Sequence, residues 1–265
     1  MRPLLALLLA TIVPATPSAT ATAILKPPAS TMDHSLLTAV LAAHVSDGKV
    51  DYAALRSDER LDRYLAVLAA TDPAGLTGKA EQLAFWLNAY NAYTLRLVLD
   101  RNPAKSITQI GRGGLVLGSI LRTTAWDIRF ARIGGRDYTL NEIEHEVIRR
   151  QFGDARAHFA LVCASGSCPA LRTEAYSAAS LDAQLDDQGK LFLRDSTRNR
   201  FDVTTRTAHL SSIFKWFKGD FGRTDREALL AAAKYAPDEV RRAIEAEPDK
   251  WRVKYLAYDW SLNSR

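Results

Sequence analysis

Residues 84–99, AFWLNAYNAYTLRLVL, carry large apolar side chains around the whole circumference of a helix rather than along one stripe. A surface helix hides one face and leaves the other polar, so a helix apolar on all sides has to be surrounded by the rest of the chain. Asn102-Pro103 ends the run, because proline cannot continue a helix and disfavours helical backbone in the residue before it. The sequence therefore predicts one buried central helix over about residues 77–100. Two asparagines, Asn88 and Asn91, interrupt it three positions apart on one face. Asparagine is a poor helix former and costly to bury without partners. Two readings stay open: the amides pin neighbouring loop backbone inside the fold, or they line a cleft as donors of the kind an oxyanion requires.

The remaining segments have to cover that helix. Residues 24–34 read as an exposed leader, and 36–44 and 57–70 as helices separated by the turn Asp47-Gly48. Residues 111–114 form a glycine loop without the strand and helix that a phosphate loop needs. WDIRFARIGGRDYTL alternates on both sides of Gly134-Gly135, the signature of a tight hairpin. Thr139-Leu140-Asn141-Glu142 has the spacing of a capping box, so a helix starts there and runs to about Phe152, where Gly153 stops it. Residues 158–163 form a short, nearly all-apolar run and are expected to be a buried strand. Residues 180–195, LSSIFKWFKGDFG and the 225–247 region read as helices, FDVTTRTAHL as a second hairpin, and the tail from Trp251 as aromatic and strand-like. The expected class is α+β: helices packed around a small, mainly antiparallel sheet. Trp216, Trp251, Trp260, Tyr255 and Tyr258 are read as core.

The chain opens MRPLLALLLATIVPATPSATATA, a positive charge, a short apolar run and small residues up to Ala23. This is the pattern of a cleaved secretory signal over residues 1–23, too short to span a bilayer. The expected location is periplasmic or secreted, with no stable membrane anchor after cleavage. The formal net charge of +5 includes Arg2 and is spread without a basic block, which argues against a nucleic-acid partner. Two cysteines in an oxidising compartment can pair.

Five stretches, FWLNAYNAYTL, YTLNEIEHEVIR, HFALVCASGSCPALR, LSSIFKWFKGDF and YLAYDWSLN, occur in that order and resemble the DUF547 family over roughly residues 75–265. On that boundary residues 24–74 are an N-terminal helical extension. The resemblance implies no reaction. It implies a family found in bacteria and plants, sometimes fused to thiol-redox modules, whose members can carry Ser at the position of Cys168. The central helix carries no Cys, which separates the chain from the transglutaminase and papain-like layout.

Chemistry therefore has to be read from the residues. A helix from 139, a short loop and a strand from 158 should fold back antiparallel, bringing the first turns of that helix over the cysteine-bearing bend. His145 and Glu142, three apart, would then face Cys163, Ser165, Ser167 and Cys168. A thiol, an imidazole and an orienting carboxylate are the parts of an activated nucleophile: Cys168 or Cys163 attacks, His145 is the base and Glu142 the orienter. The competing readings are that Glu142 serves only the capping box and that His145 is solvated. Cys168 before Pro169 reads as the cap of a helical turn, which would lower its pKa. ASGS between the cysteines is compact enough for a Cys163–Cys168 disulfide, and disulfide and free thiols are both compatible with the spacing. On a straight strand His158 lies about 16 Å from Cys163, on the opposite face. It is read as a core histidine that could still serve a cleft at the other end. The cysteines and histidines match no zinc module, and neither metal nor cofactor is assigned. The expected partner is a small molecule or a peptide. A non-catalytic binding or scaffold domain, closed by the local disulfide, is the alternative to the thiol-dependent hydrolase or transferase.

Overall fold

The computed structural model describes residues 31–112 and 114–265; the expected signal peptide and residues 24–30 lie outside the described residues. The central helix runs Gly78–Arg101. It ends where Asn102 turns left-handed (φ 45°), its N–H closing on the Val98 carbonyl at 2.8 Å, with Pro103 next. From Leu83 to Leu95 every residue is buried, as the all-round apolar pattern requires. Helices Glu59–Ala70 and Glu142–Phe152 pack against it, and Phe85, Leu87 and Tyr90 are fully enclosed. Each such side chain contributes about 1.5–3 kcal/mol over its exposed state.

The α+β class holds, with the strands divided among three small sheets. Val45–Ser46 pairs Lys49–Val50, and Ala131–Ile133 pairs Arg136–Tyr138 around the Gly134-Gly135 turn. In the third sheet Thr207–Leu210 lies between Arg200–Asp202, antiparallel, and Arg252–Tyr255, parallel. The parallel pair is possible because a long helical crossover, Ser212–Trp216, Lys218–Phe221, Asp225–Ala233 and Asp238–Ala246, falls between its strands. A short helix, Gly114–Leu121, follows the glycine loop and leaves Val116 and Ile120 exposed.

Residues before the central helix share its core: Leu37, Val40, Leu55, Leu61 and Tyr64 are all buried in it. The Asp47-Gly48 turn rests on the backbone just after Cys168, where a Cβ on Gly48 would stand 2.6 Å from that of Ala170. With φ +73° at Gly48, the turn takes only glycine without strain. Val50 bonds to Asn263 and Arg265, so the N-terminal hairpin and the C-terminal tail hold each other.

A second core gathers Phe159, Phe192, Phe214, Phe221 and Leu229. Phe159 belongs to this core and Ala160 to the first, so residues 155–163 run along the seam between the two.

The expected strand over 158–163 is not formed. Asp154 accepts the Arg156 N–H and starts a 3-10 turn, Ala155–Phe159, which takes up His158. Beyond it the chain is extended, but its partner is the Asn91 side chain: Asn91 Nδ2 donates to the Ala160 carbonyl (3.0 Å), and Asn91 Oδ1 accepts the Val162 N–H (3.0 Å). One buried amide stands in for a neighbouring strand. The helical cap expected at Cys168 is also absent. Cys168 closes a turn onto the Ser165 carbonyl (3.1 Å), and no helix follows Pro169.

Candidate functional site

A pocket of about 190 Å³ opens at the seam between the two cores. The first core supplies Tyr90, Leu161 and Cys168 to its lining, and the second supplies Ile213. Cys163, His145 and His158 line the same pocket, so one cavity collects both sulfurs and both imidazoles that the sequence singled out.

Cys163 and Cys168 form a disulfide, their Cα atoms 6.2 Å apart, inside the range such a bond spans. The loop between them is held from three sides. Gly166 N–H donates to the Ser261 carbonyl (2.7 Å), Ser167 Oγ accepts the Asp259 N–H (2.9 Å), and Arg198 Nε donates to the Cys168 carbonyl (2.6 Å). Ala164 sits at φ 60°, a left-handed conformation that costs a non-glycine residue about 1–2 kcal/mol. Cys163 N–H (3.0 Å) and the Tyr258 hydroxyl (3.2 Å) both donate to Cys168 Sγ. Burial raises the Tyr258 hydroxyl far above its ordinary pKa, which keeps it an O–H donor.

His158 is 4% exposed and stacks on Phe217, ring centroids 4.1 Å apart. Its Nε2 lies 2.7 Å from Asp220 Oδ2. A carboxylate only accepts, so Nε2 is the donor, and in the neutral imidazole Nδ1 then keeps the lone pair. The hydrogen bond from His158 and then that from Arg149 hold the Asp220 carboxyl well below the usual carboxylate range. Arg149 grips Asp220 through Nε (2.6 Å) and Nη2 (3.0 Å), and its Nη1 meets His145 Nδ1 at 2.7 Å. A guanidinium only donates, so His145 accepts there and carries its proton on Nε2. The helix that bears His145 is of the wide, π type, Glu142–Phe152, a form common at functional sites.

The structure separates Glu142 from this group. The capping box forms as predicted, Thr139 N–H to Glu142 (2.9 Å) and Glu142 N–H to Thr139 Oγ1 (3.0 Å). The other Glu142 oxygen is taken by Arg129, in a different depression of the surface. The carboxylate beside His145 in the pocket is Glu144, and the one that orients a histidine is Asp220. Ser165 and Ser167 hold the loop rather than line the pocket: Ser165 is buried and bridged to Leu262, and Ser167 is bonded to Asp259. Asn88 and Asn91 both pin backbone. Asn88 makes the same pair of bonds to Tyr176, N–H and carbonyl, that Asn91 makes to Val162 and Ala160.

The sequence model described as "Protein of unknown function, DUF547" matches residues 73–193. Over that span, a little under half of the chain, the sequence is similar to the DUF547 family. No curated protein and no solved structure matches the chain. The DUF547 match contains Glu144, His145, His158 and both cysteines, and stops before Trp216, Asp220, Tyr258 and Trp260. Residues beyond the matched span therefore complete the pocket.

Sequence reasoning missed Asp220 and Tyr258 because their partners lie 62 and 90 residues away. The only local signal was the density of aromatic residues around them. Of the aromatic residues expected in the core, Trp251 is there, whereas Trp216, Tyr258 and Trp260 line the pocket and Trp216 is 48% exposed. Among the described residues no group of three or more metal-ligating side chains converges, and no helix is long and apolar enough to cross a membrane.

Proposed function

We propose that this protein is an exported, thiol-dependent hydrolase or transferase that rests with its Cys163–Cys168 bond closed. One observation carries the reading: a cysteine pair shares a pocket with a histidine whose far nitrogen is held by a carboxylate, His158 to Asp220. The signal-like segment 1–23 and the disulfide both support export to an oxidising compartment.

In this reading a small thiol or a dithiol protein reduces the bond and leaves as a disulfide. Cys163, only partly buried where Cys168 is 1% exposed, becomes the attacking sulfur. His158 Nδ1 takes its proton, with Asp220 stabilising the imidazolium that results. The thiolate adds to a carbonyl carbon, and the leaving group departs with the proton returned by His158. Water or a second acceptor then releases the acyl group and restores the thiol. His158 replaces His145 as base, and Asp220 replaces Glu142 as orienter. His145 keeps a positioning role, because it tethers the arginine that holds Asp220.

The closed bond itself favours a second reading, a binding domain stapled by a local disulfide. Reduction followed by iodoacetamide at pH 6 separates the two. The expected result is alkylation first at Cys163, at a rate that falls about 10-fold or more in His158→Ala, because an activated thiolate far outnumbers an ordinary one at that pH. Nitrophenyl acetate should leave an acetyl group on Cys163 of the reduced protein. Sulfurs that alkylate no faster than a free cysteine, with or without His158, would leave only the staple.

A further inference from the structure

The disulfide and the histidines account for only part of the pocket lining. Most of the rest is aromatic: Tyr90, Trp126, and two pairs from distant segments, Trp216 with Phe217 and Tyr258 with Trp260. Trp216 and Trp260 stack with centroids 5.6 Å apart at 25°, and Tyr258 packs on both at 4.7 and 4.5 Å. Trp126 meets Trp260 edge-on at 5.9 Å. A cluster of this kind would be ordinary core if it were closed, yet Trp216 is 48% exposed and the four rings open onto a cavity.

The same cavity holds one acidic side chain. Glu144 is 8% exposed, and among the described residues its side chain takes one hydrogen bond, from the Tyr90 hydroxyl at 3.3 Å. It makes no ion pair among the described residues, and no lysine or arginine lines the pocket. The nearest guanidinium, Arg149, has its donors committed to Asp220 and His145. Arg198, behind the cysteine loop, is bonded to Asp195 and to loop carbonyls. A buried carboxylate is ordinarily paired; Glu144 feels Arg149 only through space, and among the described residues it has no direct ion-pair partner in the pocket.

Aromatic faces carry negative electrostatic potential and attract cations without demanding hydrogen bonds. We infer that the pocket takes an organic cation, a quaternary or alkylated ammonium group, resting in the cavity against the ring cluster of Trp126, Trp216, Tyr258 and Trp260 with Glu144 as its acidic partner. This names a substrate class for the site proposed above, and rests on that reading for the pocket being a substrate site. The cavity, about 190 Å³ and open beside the half-exposed Trp216, has room for a small ammonium head.

The probes are choline and its uncharged carbon isostere dimethylbutanol, titrated against full-length protein with the disulfide closed and followed by tryptophan fluorescence. Choline is expected to bind at least about 10-fold more tightly than the isostere. Glu144→Gln, which keeps the Tyr90 contact, should bring the ratio close to unity, and Trp260→Leu should weaken choline further than dimethylbutanol. Equal affinity for the two probes, a preference for the neutral one, or an unchanged ratio in Glu144→Gln overturns the inference. No free thiol exists under these conditions. A lost cation preference therefore leaves the alkylation result standing, and unreactive sulfurs leave the cation preference standing.

Discussion

Asn91→Ala is expected to lower the thermal midpoint by about 8 °C. The reason is the pair of buried bonds this amide makes, to the Ala160 carbonyl and from the Val162 N–H. Alanine leaves both backbone groups buried and unpaired, at about 1–3 kcal/mol each, so the total is about 3 kcal/mol. In a protein of this size 1 kcal/mol shifts the midpoint by about 2–4 °C. Asn88→Ala should behave alike, since its amide makes the matching pair of bonds to Tyr176. Differential scanning calorimetry of the two variants checks this. A midpoint within 2 °C of the parent protein would mean that water or a rearranged loop satisfies those groups, and the asparagines would return to consideration as cleft donors. Because Val162 precedes the attacking cysteine, Asn91→Ala should also blunt the reactivity of Cys163 without touching it.

Asp220→Asn is the second large effect, and its sign depends on pH. In the folded protein His158 and Arg149 hold this carboxyl below the usual carboxylate range. A depressed native pKa means the unfolded chain binds the proton more readily. The stabilisation is therefore complete above the ordinary carboxylate pKa of about 3.9 and is lost as pH falls through the lower native value. At pH 7 the variant should be less stable by about 2 kcal/mol, discounted from the cost of an enclosed pair because the Asp220 side chain is 27% exposed. At pH 3 the gap should narrow by about 1 kcal/mol. Urea unfolding at the two pH values measures both gaps, and a gap that does not change between them would show that the ionised form has no special worth. In the reduced protein the same variant should slow iodoacetamide at pH 6 by about as much as His158→Ala does, because the imidazole loses the group that fixes its tautomer.

The pairing of His158 with Asp220 changes how the cysteine segment is understood. Measured along a straight strand, His158 and Cys163 point to opposite faces. The 3-10 turn at Ala155–Phe159 breaks that geometry, and both residues line one cavity. The capping box at Thr139 was legible because a cap is made by residues three apart, and the same locality explains why Glu142 is spent there. The helix does place its first turns near the cysteines, but it presents Glu144 and His145 to the pocket, while Glu142 turns to Arg129.

What could be read without coordinates follows from short-range rules. The all-round apolar run implied a buried central helix, Gly134-Gly135 a hairpin, Gly153 a helix end, and two cysteines five apart a bond that could close. Each depends on side-chain periodicity, turn backbone or spacing within a few residues. Which groups share the pocket depended on the packing of two cores against each other. That packing brings Asp220 to His158, Tyr258 to the sulfurs, and Trp216 and Trp260 to an opening lined by Glu144. No local pattern encodes such neighbours, because a hydrogen bond or ring contact between segments 60 or more residues apart is set by how buried surfaces fit, and that fit exists only once the chain has folded.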